Sequence, residues 1–213
     1  RPELADAPLE VHTDGWDCLA IELGGRFIYK VPHHESAAER LIREPRALDL
    51  VRPRTRVAVP DMRLLDAPFL ITEHEKLVGS TVDDARYATL SEDARTRLAR
   101  DLAGFFADIH RVPAADVERA ACDALRPWAP AAALLANLAG RVPAATFDAA
   151  ARALAAHERH GDDEAVFGQF DTHGWNMAYD LGRGRLAGLF DFAGAGVGGL
   201  HRDLSDPLFI SAD

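Results

Sequence analysis

At 213 residues, with 48% hydrophobic and 27% charged residues, the chain has the composition of an ordinary soluble globular protein that buries a sizeable core. A net charge of −10, with no basic stripe, argues against a nucleic acid partner, because most of the surface would repel phosphates. No apolar run approaches the roughly 18 residues of a membrane span and no signal-peptide pattern opens the chain, so a cytoplasmic protein without a membrane partner is expected. Cys18 and Cys122 lack the spacing of a zinc site or a disulfide framework and are expected to serve as packing residues.

The first stretch, "VHTDGWDCLAIELGGRFIYKV" from Val11, has two β-prone runs separated by Gly24-Gly25, a dipeptide suited to a tight hairpin. Strand alternation puts Ile28 and Lys30 on one face and Phe27, Tyr29 and Val31 on the other. Next, "SAAERLIREPRALDLVRP" carries apolar residues at helical spacing, with a kink or break expected near Glu44 because Pro45 would clash with the preceding turn. "VPDMRLLDAPFLITEHEKLVG" reads as two short strands and then a polar connector from Glu73 to Gly79.

The second half is mainly helical. Ser91 is an N-cap candidate, and Leu98, Leu102, Phe105, Phe106 and Ile109 form one face of a helix that Pro113 stops. Two Ala/Leu-rich segments, near 130–140 and 144–158, also predict helices. Segregated elements of this kind argue for an α+β protein. The chain begins with Arg1 rather than Met, and "HRDLSDPLFISAD" stops as an apolar pattern begins, as in a chain trimmed at its ends.

Chemistry concentrates in "VFGQFDTHGWNMAYDLGRGRLAGLFDFAG", where a short strand runs into a polar loop and a hairpin turns between Asp180 and Arg185. Asn176 and Asp191 are nearly equidistant from that turn, so antiparallel pairing brings them side by side at the open end, with Asp171 in the adjoining loop. A lone Asp or Asn is more often a turn or cap residue, as expected for Asp180. Asp191 with Asn176 is an oxygen set suited to magnesium, and Asp171 stands as a carboxylate able to take a proton from an attacking hydroxyl. His173 has no second His or Cys at metal spacing, so zinc is not expected. The run containing Gly194, Gly196, Gly198 and Gly199 suits a flexible turn.

The motifs resemble the aminoglycoside phosphotransferase and choline kinase-like family. Asp171-Thr172-His173-Gly174-Trp175-Asn176 is similar to its D-x-H-x-x-N catalytic loop, Asp191-Phe192 to its metal-binding segment, and Asp203-Leu204 to its structural Asp-Leu pair. "FFADIHRVP" resembles the helix that ends in Leu-His before proline, and "GWDCLAIEL" the phosphate-covering hairpin, without its glycine pattern.

The resemblance implies a protein-kinase-like bilobal α+β fold: a small β-rich lobe over residues 1–75 and a mainly α-helical lobe over 76–213 that carries a catalytic β-hairpin. It implies Asp171 as catalytic base, Asn176 and Asp191 as magnesium ligands, Lys30 on the nucleotide phosphates, and Glu44 as the helix carboxylate pairing Lys30. Ile28 would lie over the base, with Glu73, His74 and Glu75 as the connector offering it backbone groups. Gln169, His173 and Asp203 would support the site. Gln169 stands where the family has His, so that it keeps one scaffold bond, and Gly199 stands where an Asp is often found.

The function so implied is transfer of the γ-phosphoryl group of ATP or GTP, with magnesium, to a hydroxyl of a small cationic acceptor such as an aminoglycoside. The alternatives are a kinase of choline, homoserine or a macrolide, and a catalytically silent nucleotide binder.

Overall fold

The computed structural model describes residues 4–13, 15–122, 124–125, 129–160 and 164–205. The first half forms an antiparallel sheet of five strands: β1 Leu9–His12, β2 Cys18–Leu23, β3 Phe27–Pro32, β4 Arg63–Leu64 and β5 Thr72–Glu75, in the order β1-β2-β3-β5-β4. Gly24 and Gly25 both take left-handed φ angles, 62° and 66°, and make the β2–β3 turn that the dipeptide predicts. Cross-strand partners share a face, so Ala20, Lys30 and Thr72 line up on one side of the sheet, joined there by Glu22, Ile28 and His74.

Between β3 and β4 lies helix α1, Glu35–Val51, capped by His34, whose Nδ1 accepts the Ala37 N–H at 3.2 Å. The break expected at Pro45 does not occur, and the helix runs on to Val51. Pro45 removes one N–H bond, but Leu41, Ala47, Leu48 and Val51 on either side are all buried in the core, which holds the turn together.

The connector also begins later than expected. Glu73 to Glu75 complete β5, because Glu73 sits inside the sheet with its carboxylate bonded by Tyr29 Oη at 2.6 Å and by the Arg63 guanidinium. Charge at that position marks an ion pair across strands rather than exposure to solvent.

The second half holds α2 Asp84–Thr89, α3 Glu92–Ile109, α4 Ala114–Arg119, α5 Ala131–Leu138 and α6 Ala144–His160, then β6 Ala165–Gly168, β7 Met177–Asp180, β8 Arg185–Leu189, β9 Gly196–Gly199 and α7 Leu200–Asp203. Ser91 caps α3 by accepting the Ala94 N–H at 3.2 Å, and the predicted apolar face of that helix is buried. The glycine run expected as a flexible turn is in large part strand β9, paired antiparallel with β6. Small residues are required there, since a Cβ at Gly198 would lie 2.8 Å from the Phe170 ring. The core joins α1, α3 and the β7–β8 hairpin, and takes in Cys122, with Cys18 packed against it; neither cysteine forms a disulfide. Among the described residues no helix is long and apolar enough to cross a membrane.

Candidate active site

Three elements bring the predicted residues together. From the sheet, Lys30 Nζ donates to both oxygens of Glu44 on α1, at 2.9 and 3.0 Å, and to Asp191 Oδ1 at 3.0 Å. From α1, Glu44 is wholly buried and its Oε1 also accepts the Phe192 N–H at 2.9 Å. From the end of β8, Asp191 takes a left-handed φ of 61°, rare for a residue with a side chain, while Phe192 packs edge-on against Phe105 of α3.

Electrostatics follow from this geometry. Burial alone would drive the proton off Lys30, but Asp191 and Glu44 reverse that and hold the ammonium well above its ordinary range. Burial pushes the Glu44 carboxyl up against the opposing pull of Lys30. Burial also acts to raise the Asp191 carboxyl, yet the adjacent ammonium outweighs it and keeps Asp191 below the usual carboxylate range. The cluster therefore carries one cation between two carboxylates, one of them opening toward solvent with 38% of its side chain exposed.

The loop between β6 and β7 supplies the rest. Asn176 Nδ2 donates to the Asp171 carbonyl at 2.8 Å and to its Oδ2 at 3.0 Å, while His173 Nε2 lies 3.3 Å from Asp171 Oδ1. The His173 ring also caps a short 3-10 turn, Gly174–Asn176, by accepting the Trp175 N–H at 3.2 Å. The Asn176 carbonyl accepts from Phe190 N at 3.0 Å, so Asn176 stands opposite Phe190, and Asp191 lies one residue past the partner expected from the turn. A register shift between Ala178 and Tyr179 narrows the offset: the pairing nearest the turn would set Leu189 opposite Asn176, and the extra residue on β8 moves Phe190 there, one residue nearer Asp191.

Supporting residues brace this loop from behind. Asp203 accepts the Phe170 N–H at 2.5 Å and pairs with His110 Nε2 at 2.7 Å, holding Phe170 at a φ of 60°. Gln169, fully buried, donates to the carbonyls of Phe190 at 2.8 Å and Asp191 at 3.2 Å and accepts from Thr172 Oγ1 at 2.7 Å. It ties the strand that carries Asp191 to the loop that carries Asp171.

At the sheet end, Ile28 lies opposite His74 on the Lys30 face. His74 Nδ1 donates to the Glu75 carbonyl at 2.9 Å, and burial lowers the imidazole pKa. Glu73 lies within β5, with its carboxylate engaged by Tyr29 and Arg63 across the strands. Thr72, missed in the sequence, is fully buried beside Lys30 with its hydroxyl unpartnered among the described residues. Strand alternation from His74 places it, but nothing in the sequence marks its hydroxyl as orphaned.

A twisted sheet that presents a Lys-Glu pair, packed on a helical lobe whose hairpin presents Asp, Asn and Asp, defines a protein-kinase-like phosphotransferase. The model of the phosphotransferase enzyme family matches residues 9–211, and the chain belongs to that family. Among solved structures, the GDP and kanamycin complex of APH(2")-IIIa aligns with a TM-score of 0.83 at 18% identity, over 97% of this chain and 73% of that one. Macrolide 2'-phosphotransferase type I gives 0.72 at 20% identity, over 97% and 72% of the two chains. Macrolide 2'-phosphotransferase MphH from Brachybacterium faecium gives 0.65 at 22%, over 92% and 69%. No curated protein sequence matches the chain.

Proposed function

We propose that the protein transfers the γ-phosphoryl group of ATP or GTP, with magnesium, to a hydroxyl of a small cationic acceptor such as an aminoglycoside. The observation that carries this reading is Lys30 Nζ within 3.0 Å of both Glu44 and Asp191. Lys30, kept protonated and aimed by Glu44, is suited to hold nucleotide phosphates.

The residues fit magnesium. A carboxylate held ionised at Asp191 and a carboxamide at Asn176, whose Nδ2 is already spent on Asp171, leave hard oxygen donors for a divalent cation. When bound, the ion would neutralise charge on the phosphate oxygens. Asp171, its carboxylate oriented by Asn176 and His173, accepts the proton of the attacking hydroxyl. Positioning is most of the catalysis in phosphoryl transfer, so the bracing by Gln169 and Asp203 belongs to the mechanism as well. Gln169 makes three bonds where one is expected, which favours an active enzyme over a silent nucleotide binder. The acceptor class draws on the net charge of −10 and on the aminoglycoside complexes among the structural relatives.

Nucleoside diphosphate release should be measured with Mg-ATP and Mg-GTP against aminoglycosides, macrolides, choline and homoserine. Acceptor-dependent release that falls at least about 100-fold in Asp171→Ala, with nucleotide affinity largely kept, is the expected result. Wild-type turnover in that variant would overturn the assignment of the base.

A further inference from the structure

The sheet face that carries Lys30 holds two side chains that phosphoryl transfer itself does not use. His74 and Thr72, two residues apart on β5, share the face of Lys30 and Ile28; His74 is 6% exposed and Thr72 is fully buried. Glu75 O is a carbonyl and only accepts, so the 2.9 Å contact requires the proton on His74 Nδ1. Burial lowers the imidazole pKa against the opposing pull of the Glu75 carbonyl, which favours the neutral ring. Nε2 is then a bare lone pair, with no hydrogen-bond partner among the described residues. Beside it the Thr72 hydroxyl also lacks a partner. The Thr72 hydroxyl is buried in this condition, which a ligand or water completes.

We infer that His74 Nε2, with Thr72 beside it, reads the six-position of the purine and selects adenine over guanine, making ATP the phosphoryl donor. Adenine presents an exocyclic amine there, a donor for the Nε2 lone pair. Guanine presents a carbonyl, which would set lone pair against lone pair. The contact that fixes the tautomer leaves Nε2 as the ring's acceptor for that amine. Ile28, opposite His74 across the strands, supplies an apolar surface for the ring.

The inference rests on the nucleotide-binding reading of the site, and binding separates the two. Titration calorimetry with Mg-ADP, Mg-GDP and Mg-IDP needs no acceptor and no turnover. IDP bears the carbonyl of guanine but lacks its two-amino group, so it isolates the six-position. The expected result is ADP binding about tenfold or more tighter than both GDP and IDP. His74→Met should narrow that ratio by weakening ADP and, with the lone-pair repulsion gone, tightening GDP and IDP, and His74→Gln, which restores an acceptor, should recover part of the ADP affinity. The wild-type ratio stands as a test even where a variant folds poorly. Binding of GDP or IDP as tight as ADP overturns this inference alone. No binding of any of the three overturns the proposed function together with it.

Discussion

His74 shows how one residue ties the site to the stability of the protein. Its ring is buried and held neutral, whereas in the unfolded chain it titrates near its ordinary value of 6.5. A folded pKa below the unfolded one means that, as pH falls through that region, the unfolded state takes up a proton that the folded state refuses. Stability contributed by neutral His74 is therefore complete above the unfolded pKa and is lost on acidification. Urea unfolding at about pH 5.5 and about pH 7.5 should give a lower unfolding free energy at the acid value, and His74→Met should lessen that difference. An unchanged acid limb in the variant would show that other groups set it.

At the level of elements, the turn carrying Asn176 is held by close backbone approach as well as by the His173 cap. The Gly174 carbonyl accepts the Val82 N–H at 2.9 Å, and a Cβ on Gly174 would run into the Val82 carbonyl, with its carbon at 2.7 Å. Gly174→Ala should cost about 1–3 kcal/mol and, by displacing Asn176 and Asp171, reduce turnover by about 100-fold. Gly104 offers the control: it lies inside α3, and a methyl group there would meet nothing within 4 Å, so Gly104→Ala should stabilise by about 0.5–1 kcal/mol and leave turnover alone. Chemical denaturation and initial rates on both variants check the pair. The same contrast explains what was legible in the sequence. Helix α3 was readable because its apolar spacing and Ser91 cap are local signals, and the β7–β8 hairpin because Asp180 to Arg185 is a turn-forming run. The inclusion of Glu73 in β5 and the pairing of β9 were not, because each depends on partners distant in sequence: Arg63 and Tyr29 for one, Phe170 and β6 for the other. In the site, Asp171, Asn176 and Asp191 were found from spacing, whereas the bulge that brings Phe190 rather than Leu189 opposite Asn176 has no local signal in the sequence.

Across the whole molecule the β7–β8 hairpin is where the two lobes meet. Lys30 reaches Asp191, Glu44 receives the Phe192 N–H, and Leu189 N donates to the Ala58 carbonyl at 2.9 Å. A nucleotide and metal entering the cleft would compete for the Lys30 and Asp191 groups that now bind each other, so the ligand replaces one bridge between lobes with another. Ligand binding to the folded state alone adds about 2.7 kcal/mol at a hundredfold excess over Kd. Thermal unfolding of the wild type should therefore shift upward with Mg-nucleotide by more than with nucleotide and EDTA. In Asp191→Asn the magnesium-dependent part should vanish, while the Lys30 to Glu44 pair keeps the unliganded protein folded. A magnesium-dependent shift of wild-type size in Asp191→Asn would place the metal elsewhere, and would leave Asp191 as a structural link between the lobes.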